Sequence, residues 1–419
     1  MESNTKSRRS LMIFLVSIVV FVALLTWIAG WALPLVIFTI IFIVMAHEFG
    51  HFITAKRAGM KVTDFFVGFG PVLWSTTIGE TRYGVRAILA GGYVKVPGMT
   101  WTETIDADKE PRTYRAASYP RKVLFASAGS LMHLLMALLL LWGALTIIGL
   151  PSSSHVGVGS FEKWKGHQEN AAQLAGVKLG DQIVAVNGTL ISSDSQLINI
   201  VSHDSGKQLT LLINRAGRDL TLHATPVDGT TINFTGKPTT NSSKPHGYLG
   251  IELANLHVRD SWYAAIPASV TEAGSLLSAA AHGIVHVFSP GEFSSLFHQV
   301  ASPKAATNPI NQQTRPASIV GVVRFAVQST QTGPGELLLV LAAVNIFVGV
   351  LNMLPMLPLD GGYVAIATYE RLRSRRGVHY HADINKLAPV AYAFMAVLLV
   401  LFASTLFLDI AHPIANPFR

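Results

Sequence analysis

IVMAHEFGHF, residues Ile43 to Phe52, sets His47, Glu48 and His51 at the end of a run, Leu11 to Ala46, that contains no charged residue. Ionisable side chains are costly in such surroundings and are retained where they have chemical work to do. On a helix, residues four apart project from one face, one turn apart. His47 and His51 therefore offer two nitrogens at the spacing a zinc ion needs. Glu48 comes next in the chain, placed to take a proton from a water without itself being a ligand. A chance HExxH has no reason to favour an apolar segment, so these three residues read as a zinc-hydrolytic signature inside a membrane helix.

The composition agrees with a membrane setting. Of 419 residues, 50% are hydrophobic and 13% charged, and the mean hydropathy is +0.41, which suits a polytopic membrane protein better than a soluble enzyme. There is no cysteine, so thiolate metal sites, disulfides and cysteine nucleophiles are excluded, and any metal must be held by His, Asp or Glu. The net charge of +8 does not form one basic stripe. Its residues flank apolar runs, which points to membrane orientation and not to nucleic acid.

As one straight helix, Leu11 to Ala46 would be about 54 Å long against a hydrocarbon core of about 30 Å. The stretch AGWALP, with Gly30, Trp31 and Pro34, divides it into spans near 11–29 and 34–55. The first run could instead be a signal peptide, but it is longer than the roughly 7–15 apolar residues usual for one, and a retained anchor is expected. Further spans are expected near 123–150, 337–357 and 387–410. A cytoplasmic N-terminus puts Lys56, Arg57, Lys61, Arg121, Lys122 and the cluster Arg371, Arg373, Arg375 and Arg376 all on the cytoplasmic side. Residues from about 151 to 335 then lie outside.

This outer region carries its own signature. AAQLAGVKLGDQIVAVNGTLISS reads as a helix ending at Gly176, a turn at Gly180 and Asp181, a strand Ile183 to Val186 and a tight turn at Asn187 and Gly188. LTLLINRAGRDLTLHATPV and GYLGIEL supply further strands. The order resembles a PDZ domain. That resemblance implies a peptide joining by strand addition along VGVGSF, Val156 to Phe161.

A catalytic zinc wants a third protein ligand and one open position. The candidate is Asp360 in LNMLPMLPLDGGY, where Pro355 and Pro358 must break a helix in an apolar stretch. Such a break is tolerated at membrane depth only where the backbone lines a cavity. Asp-Gly alone is usually a turn. Opposite a zinc helix that lacks a ligand, it reads as the ligand. His282 and His286 share the spacing but have no glutamate between them and read as packing, His379 and His381 as a solvated loop, and His133 as a hydrogen-bonded interhelical histidine close to the site.

HEFGH, VGFGPVLW, GETRYGV followed by GGYVK, the PDZ pattern and NMLPMLPLDGG occur in an order that resembles the site-2 proteases, most closely the single-PDZ bacterial ones, from about Leu33 to Pro417. The resemblance implies a polytopic α-helical membrane protein with a membrane-associated β-hairpin region and an inserted extracytoplasmic PDZ-like α+β domain. The expected divisions are 1–32, an extra anchor span; 33–150 and 335–419, the catalytic membrane halves; 151–258, the PDZ-like domain; and 259–334, an outer or interfacial helical linker. It also implies one zinc on His47, His51 and Asp360, Glu48 as base and Asn352 near the substrate carbonyl. The expected setting is the cell membrane, the expected substrates are transmembrane regulators such as anti-sigma factors, and substrate ectodomains or peptides would meet the PDZ-like domain. The chain departs from the family at Gly129, Ser130 and His133, where Gly-Pro and a nearby Asn are usual, so no role transfers to that segment.

The expected reason for a membrane zinc site is a membrane substrate, whose helix must unwind before its peptide bonds can be attacked. The strands between Val62 and Val96 could offer an edge for the unwound segment, with Val85 and Ala87 as the expected edge residues. A decayed, non-proteolytic scaffold is disfavoured by the intact Glu48. A metal transporter is disfavoured because polar residues do not recur along the spans.

Overall fold

The division expected at AGWALP falls where the first helix ends: α1 (Glu2–Ala29) stops before Gly30, whose φ of 76° is left-handed, and α2 (Ala32–Arg57) begins two residues later. In this computed structural model, residues 2–99, 103–106, 108–162, 169–215, 217–231, 246–374, 380–382, 384–416 and 418 are described. Arg375, Arg376, His379 and Pro417 lie outside them. The chain divides into two compact units, Met1–Gly143 with Ile266–Arg419, and Ala144–Ala265.

In the first unit, α2 is followed by β1 (Asp64–Ile78) and β2 (Thr81–Lys95), then by α3 (Tyr119–Gly143). Among the described residues, the helices long and apolar enough to cross a membrane are Ala32–Arg57, Tyr119–Ile148, Pro334–Asn352 and Ala388–Ala411, with a shorter apolar stretch at Val16–Ala29. The span expected to reach 357 ends at Asn352, because the prolines that follow break it. Small residues let α2 and α3 approach closely. A Cβ on Gly50 would lie 2.6 Å from Met132 Cγ and 2.7 Å from the Ala128 carbonyl oxygen, which is the backbone proximity that drives helix association where lipid removes the hydrophobic incentive.

β1 and β2 form a long hairpin folded on itself. Phe65 pairs with both Tyr83 and Val94, and Val67 with both Val85 and Gly92, so the start of β1 lies between the two halves of β2. Val85 has partners on both sides, Val67 and Trp74; the outer edge expected there is instead at Gly92–Lys95, the far half of β2, where the Val94 backbone bonds to Glu48. At the hairpin tip, Glu80 takes Lys56 at 2.7 Å and Arg112 at 2.8 Å. The Arg112 guanidinium, with Lys56, holds its carboxyl down at about 2.

The second unit contains β3 (Leu150–Phe161), α4 (Ala171–Leu174), β4 (Gln182–Val186), β5 (Thr189–Leu190), α5 (Asp194–His203), β6 (Leu209–Arg215), β7 (Arg218–Ala224), β8 (Val227–Asp228), β9 (Gly247–Tyr248) and β10 (Ile251–Val258). Its main sheet runs β10-β3-β4-β6-β7, with β5 paired to β4. Alternation in LTLLINR buries Leu209, Leu211 and Ile213, each worth about 1.5–3 kcal/mol. The turn expected at Asn187 and Gly188 has φ of 50° and 82°. Val156 to Phe161 pairs with β10 along its length and meets β4 only around Gly157, and the end strands of the sheet are β10 and β7. Asp181 is 1% exposed. Burial alone would raise its carboxyl, but the Arg215 guanidinium at 2.7 Å and the Lys178 amide hold it below the usual range.

The first unit resumes with α6 (Ala265–Val287), α7 (Pro290–Ala301), α8 (Pro303–Ala306), α9 (Pro309–Thr314), α10 (Ile319–Ser329), α11 (Pro334–Asn352), α12 (Asp360–Arg373) and α13 (Ala388–Ala411). The segment expected as an outer linker is helical, yet it does not stand apart. Ala273 and Ala280 of α6 are buried with Ala137, Leu141, Ala342 and Ile346 of α3 and α11. His286 meets Glu292 at the start of α7 at 3.6 Å, and His282 bonds within its own helix. At the far end of α13, buried Asp409 accepts from the Ser318 amide at 2.7 Å and from Arg315 at 3.1 Å, which ties α10 to the last helix.

Candidate metal centre

His47 and His51 sit one turn apart on α2, and both are buried. Their Nε2 atoms are 3.2 Å apart. Asp360 Oδ2 lies 3.4 Å from His47 Nε2 and 3.3 Å from His51 Nε2. Asp360 arrives from the other half of the unit because the chain breaks between α11 and α12. Residues Met353 to Leu359 fold back over the first turn of α12, and the Leu357–Pro358 bond is cis. The paired glycines make room for that turn-back: a Cβ on Gly361 would lie 2.3 Å from the Met353 carbonyl oxygen, and one on Gly362 2.8 Å from the Leu357 nitrogen. Helix α12 is held against α3 by a buried pair, Lys122 Nζ to Glu370 Oε2 at 3.1 Å, with Glu370 Oε1 accepting from the Ala382 amide at 3.0 Å.

The His51 and Asp360 atoms that meet are acceptors. His51 Nδ1 lies 2.8 Å from the Phe125 carbonyl oxygen, which can only accept, so Nδ1 carries the proton and Nε2 presents a lone pair. Asp360 Oδ2 is buried without a hydrogen-bond partner. An imidazole lone pair and a carboxylate that converge with a second imidazole repel one another unless a proton or a cation lies between them. Four ligands at about 2.0 Å in a tetrahedron are separated by about 3.3 Å, and the three observed separations of 3.2, 3.3 and 3.4 Å fit one face of it. These three side chains form a group that could hold a metal ion.

Glu48 stands beside this group, half-buried, on the side closed by the far half of β2. A Cβ on Gly92 would be 3.0 Å from Glu48 Cγ. The imidazole of His47 lies flat against Gly129 of α3, where a Cβ would fall 2.2 Å from its Cε1. His133, one turn further along α3, has its ring centroid 5.0 Å from that of His47 and bonds to Asn345 Oδ1 at 3.0 Å. Asn345 escaped the sequence reading. Its signal was available, a lone amide within the apolar run of α11, seven residues before Asn352. Asn345, Gly349 and Asn352 recur at helical spacing on one face of α11, and Gly349 lies against His133 Cβ at 3.1 Å from its own Cβ position. Asn352 is half-buried at the end of that face.

Apolar helices enclosing two histidines and a carboxylate, with a glutamate at their side, define an intramembrane metalloprotease. Residues 35–400 match the model of Peptidase family M50. The chain belongs to that family, the site-2 proteases. It is 32% identical to "Zinc metalloprotease Rip1" of Mycobacterium tuberculosis over 407 residues, covering 90% of this chain and 95% of that one. It is 28% identical to "Putative zinc metalloprotease all3971" of Nostoc, covering 80% and 84%. To "Membrane metalloprotease ARASP, chloroplastic" of Arabidopsis thaliana it is 28% identical, covering 79% and 69%.

Proposed function

We propose that this protein is a zinc endopeptidase that hydrolyses peptide bonds in or near transmembrane segments of membrane-tethered regulators, anti-sigma factors among them. The observation that carries the reading is the convergence of three potential ligand atoms from His47, His51 and Asp360, next to Glu48, inside apolar helices. These three side chains hold the metal, and the Phe125 carbonyl fixes the His51 tautomer. Held there, zinc would supply Lewis acidity and would lower the pKa of a bound water to about 7. Glu48 takes a proton from the attacking water and returns it to the amide nitrogen as the C–N bond breaks. Asn352 donates its amide to the carbonyl oxygen as charge develops there.

The substrate segment, once unwound, adds to the Gly92–Lys95 edge of β2, which passes beside Glu48. An apolar cavity of about 320 Å³, lined by residues including Leu134, Leu277, Ile346, Gly349 and Met353, receives its side chains between α3, α6 and α11. The basic flanks support a cytoplasmic N-terminus and an outer 151–258 domain in the cell membrane. That domain is read as PDZ-like, taking a peptide or substrate ectodomain along VGVGSF, Val156 to Phe161, which β4 meets only around Gly157. The test is metal analysis of purified protein together with cleavage of a transmembrane reporter, in the parent and in Glu48→Ala. Full zinc content without cleavage is expected in the variant. Retained cleavage, or loss of zinc with it, would remove Glu48 as the base.

A further inference from the structure

His133 is 2% exposed and Asn345 fully buried, and the two join α3 to α11 inside the apolar part of the unit. The Asn345 amide has one orientation that suits its surroundings: Nδ2 donates to the Leu341 carbonyl at 2.8 Å. The atom facing the imidazole is therefore Oδ1. A carbonyl oxygen only accepts, so the proton of neutral His133 sits on Nδ1 and its remaining lone pair on Nε2. No described residue supplies a donor to Nε2.

The ring of His133 lies 5.0 Å from that of His47, yet His133 stands outside the group whose ligand atoms are within 4.8 Å of one another. It is close to the metal centre without belonging to its ligand set. We propose that His133 is a further catalytic residue: its Nε2 accepts a hydrogen bond from the attacking water, with Asn345 fixing the tautomer that leaves this lone pair free. Water has two protons. Glu48 takes one and His133 holds the other, which turns the oxygen lone pair towards the carbonyl and removes the orientational freedom that slows an unheld nucleophile. No bond is made or broken at His133. The inference rests on the protease reading above.

The discriminating variant is His133→Asn, whose amide still donates to Asn345 but ends short of where Nε2 reaches. Zinc affinity within threefold of the parent, KM within twofold and kcat lowered about 10–100-fold are expected, the range found when a partner just outside the ligand set is removed. The visible spectrum of the cobalt-loaded variant should change, because the molecule at the open position has lost a hydrogen bond. Asn345→Leu, which frees the tautomer, should lower kcat about 5–10-fold with zinc retained, and it serves if the first variant inserts poorly. Parental kcat and cobalt spectrum in His133→Asn would reduce His133 to an interhelical bond and overturn the assignment. A loss of zinc affinity beyond 100-fold would make it a ligand and overturn it equally. A parent that neither binds metal nor cleaves fails the protease reading, and this assignment with it.

Discussion

Gly129→Ala adds one methyl group at the tightest point of the site. Its Cβ would lie 2.2 Å from His47 Cε1, 2.4 Å from Nδ1 and 2.6 Å from Nε2, against about 3.5–4.0 Å for a comfortable contact between heavy atoms. Something must retreat by about 1 Å or more. Helix α3 packs closely on α2 at Gly50, where an added Cβ would lie 2.7 Å from the Ala128 carbonyl oxygen, so the imidazole is the part that moves. Metal sites tolerate about 0.2 Å of ligand displacement. A shift of about 1 Å at a reacting centre costs about 100-fold in rate. The substitution itself favours the helix, by about 1 kcal/mol, so a loss of function cannot be ascribed to a weaker α3. The expected outcome is a folded, inserted protein with zinc content well below one per chain after dialysis, and cleavage lowered at least 100-fold. Metal is read by plasma mass spectrometry and turnover with a transmembrane reporter. Gly143→Ala is the control on the same helix, because its nearest neighbour, Leu338 Cδ1, is 4.0 Å away; it should behave as the parent. Full zinc and parental cleavage in Gly129→Ala would show that His47 does not lie against α3 as described.

Asp360→Asn keeps the turn but offers the cation a neutral carbonyl in place of a charge, so zinc occupancy and cleavage should both fall; Asp360→Glu, which keeps the charge on a longer arm, should retain part of the metal with impaired turnover. Normal metal and cleavage in the asparagine variant would place the third ligand elsewhere. A photo-crosslinking residue at Tyr93, on the outer edge of β2, should capture a bound substrate, and one at Trp74, on the opposite edge of the hairpin, should not; equal capture at both would discount strand addition beside Glu48. Asp181 has a carboxyl held below its unfolded value, so the stability it lends is fully present above the unfolded carboxylate range near 3.9 and is lost as pH falls through the folded value. Hydrogen exchange at β4 and β6 should therefore quicken on acidification below about pH 4. Asp181→Asn should blunt that response while weakening the domain at neutral pH, and an unchanged acid response would discount the Arg215 pair as its source.

Much of the molecule is local information. The two helices either side of Gly30 follow from a charge-free run too long for one crossing. The pairing of His47 with His51 follows from the helical repeat, and the β6–β7 strands from alternation in LTLLINRAGRDLTLHA. These are properties of neighbouring residues under one solvent condition, and a sequence carries them directly. The break after Asn352 is legible in the same way, because Pro355 and Pro358 cannot continue a hydrogen-bonded helix. Other features depend on which segments meet. VGVGSF alternates as an edge strand would, but alternation does not reveal that β10 returns along one side of it while β4 meets the other only around Gly157. Val85 looks as free as Tyr93 until the hairpin folds on itself and gives Val85 a partner on each side. Asn345 is one amide in an apolar helix until α11 is laid against α3 and the amide meets His133. Periodicity reports which face of an element is apolar; only the tertiary arrangement decides what that face touches, because contacts between distant segments depend on how all the elements close on one another at once.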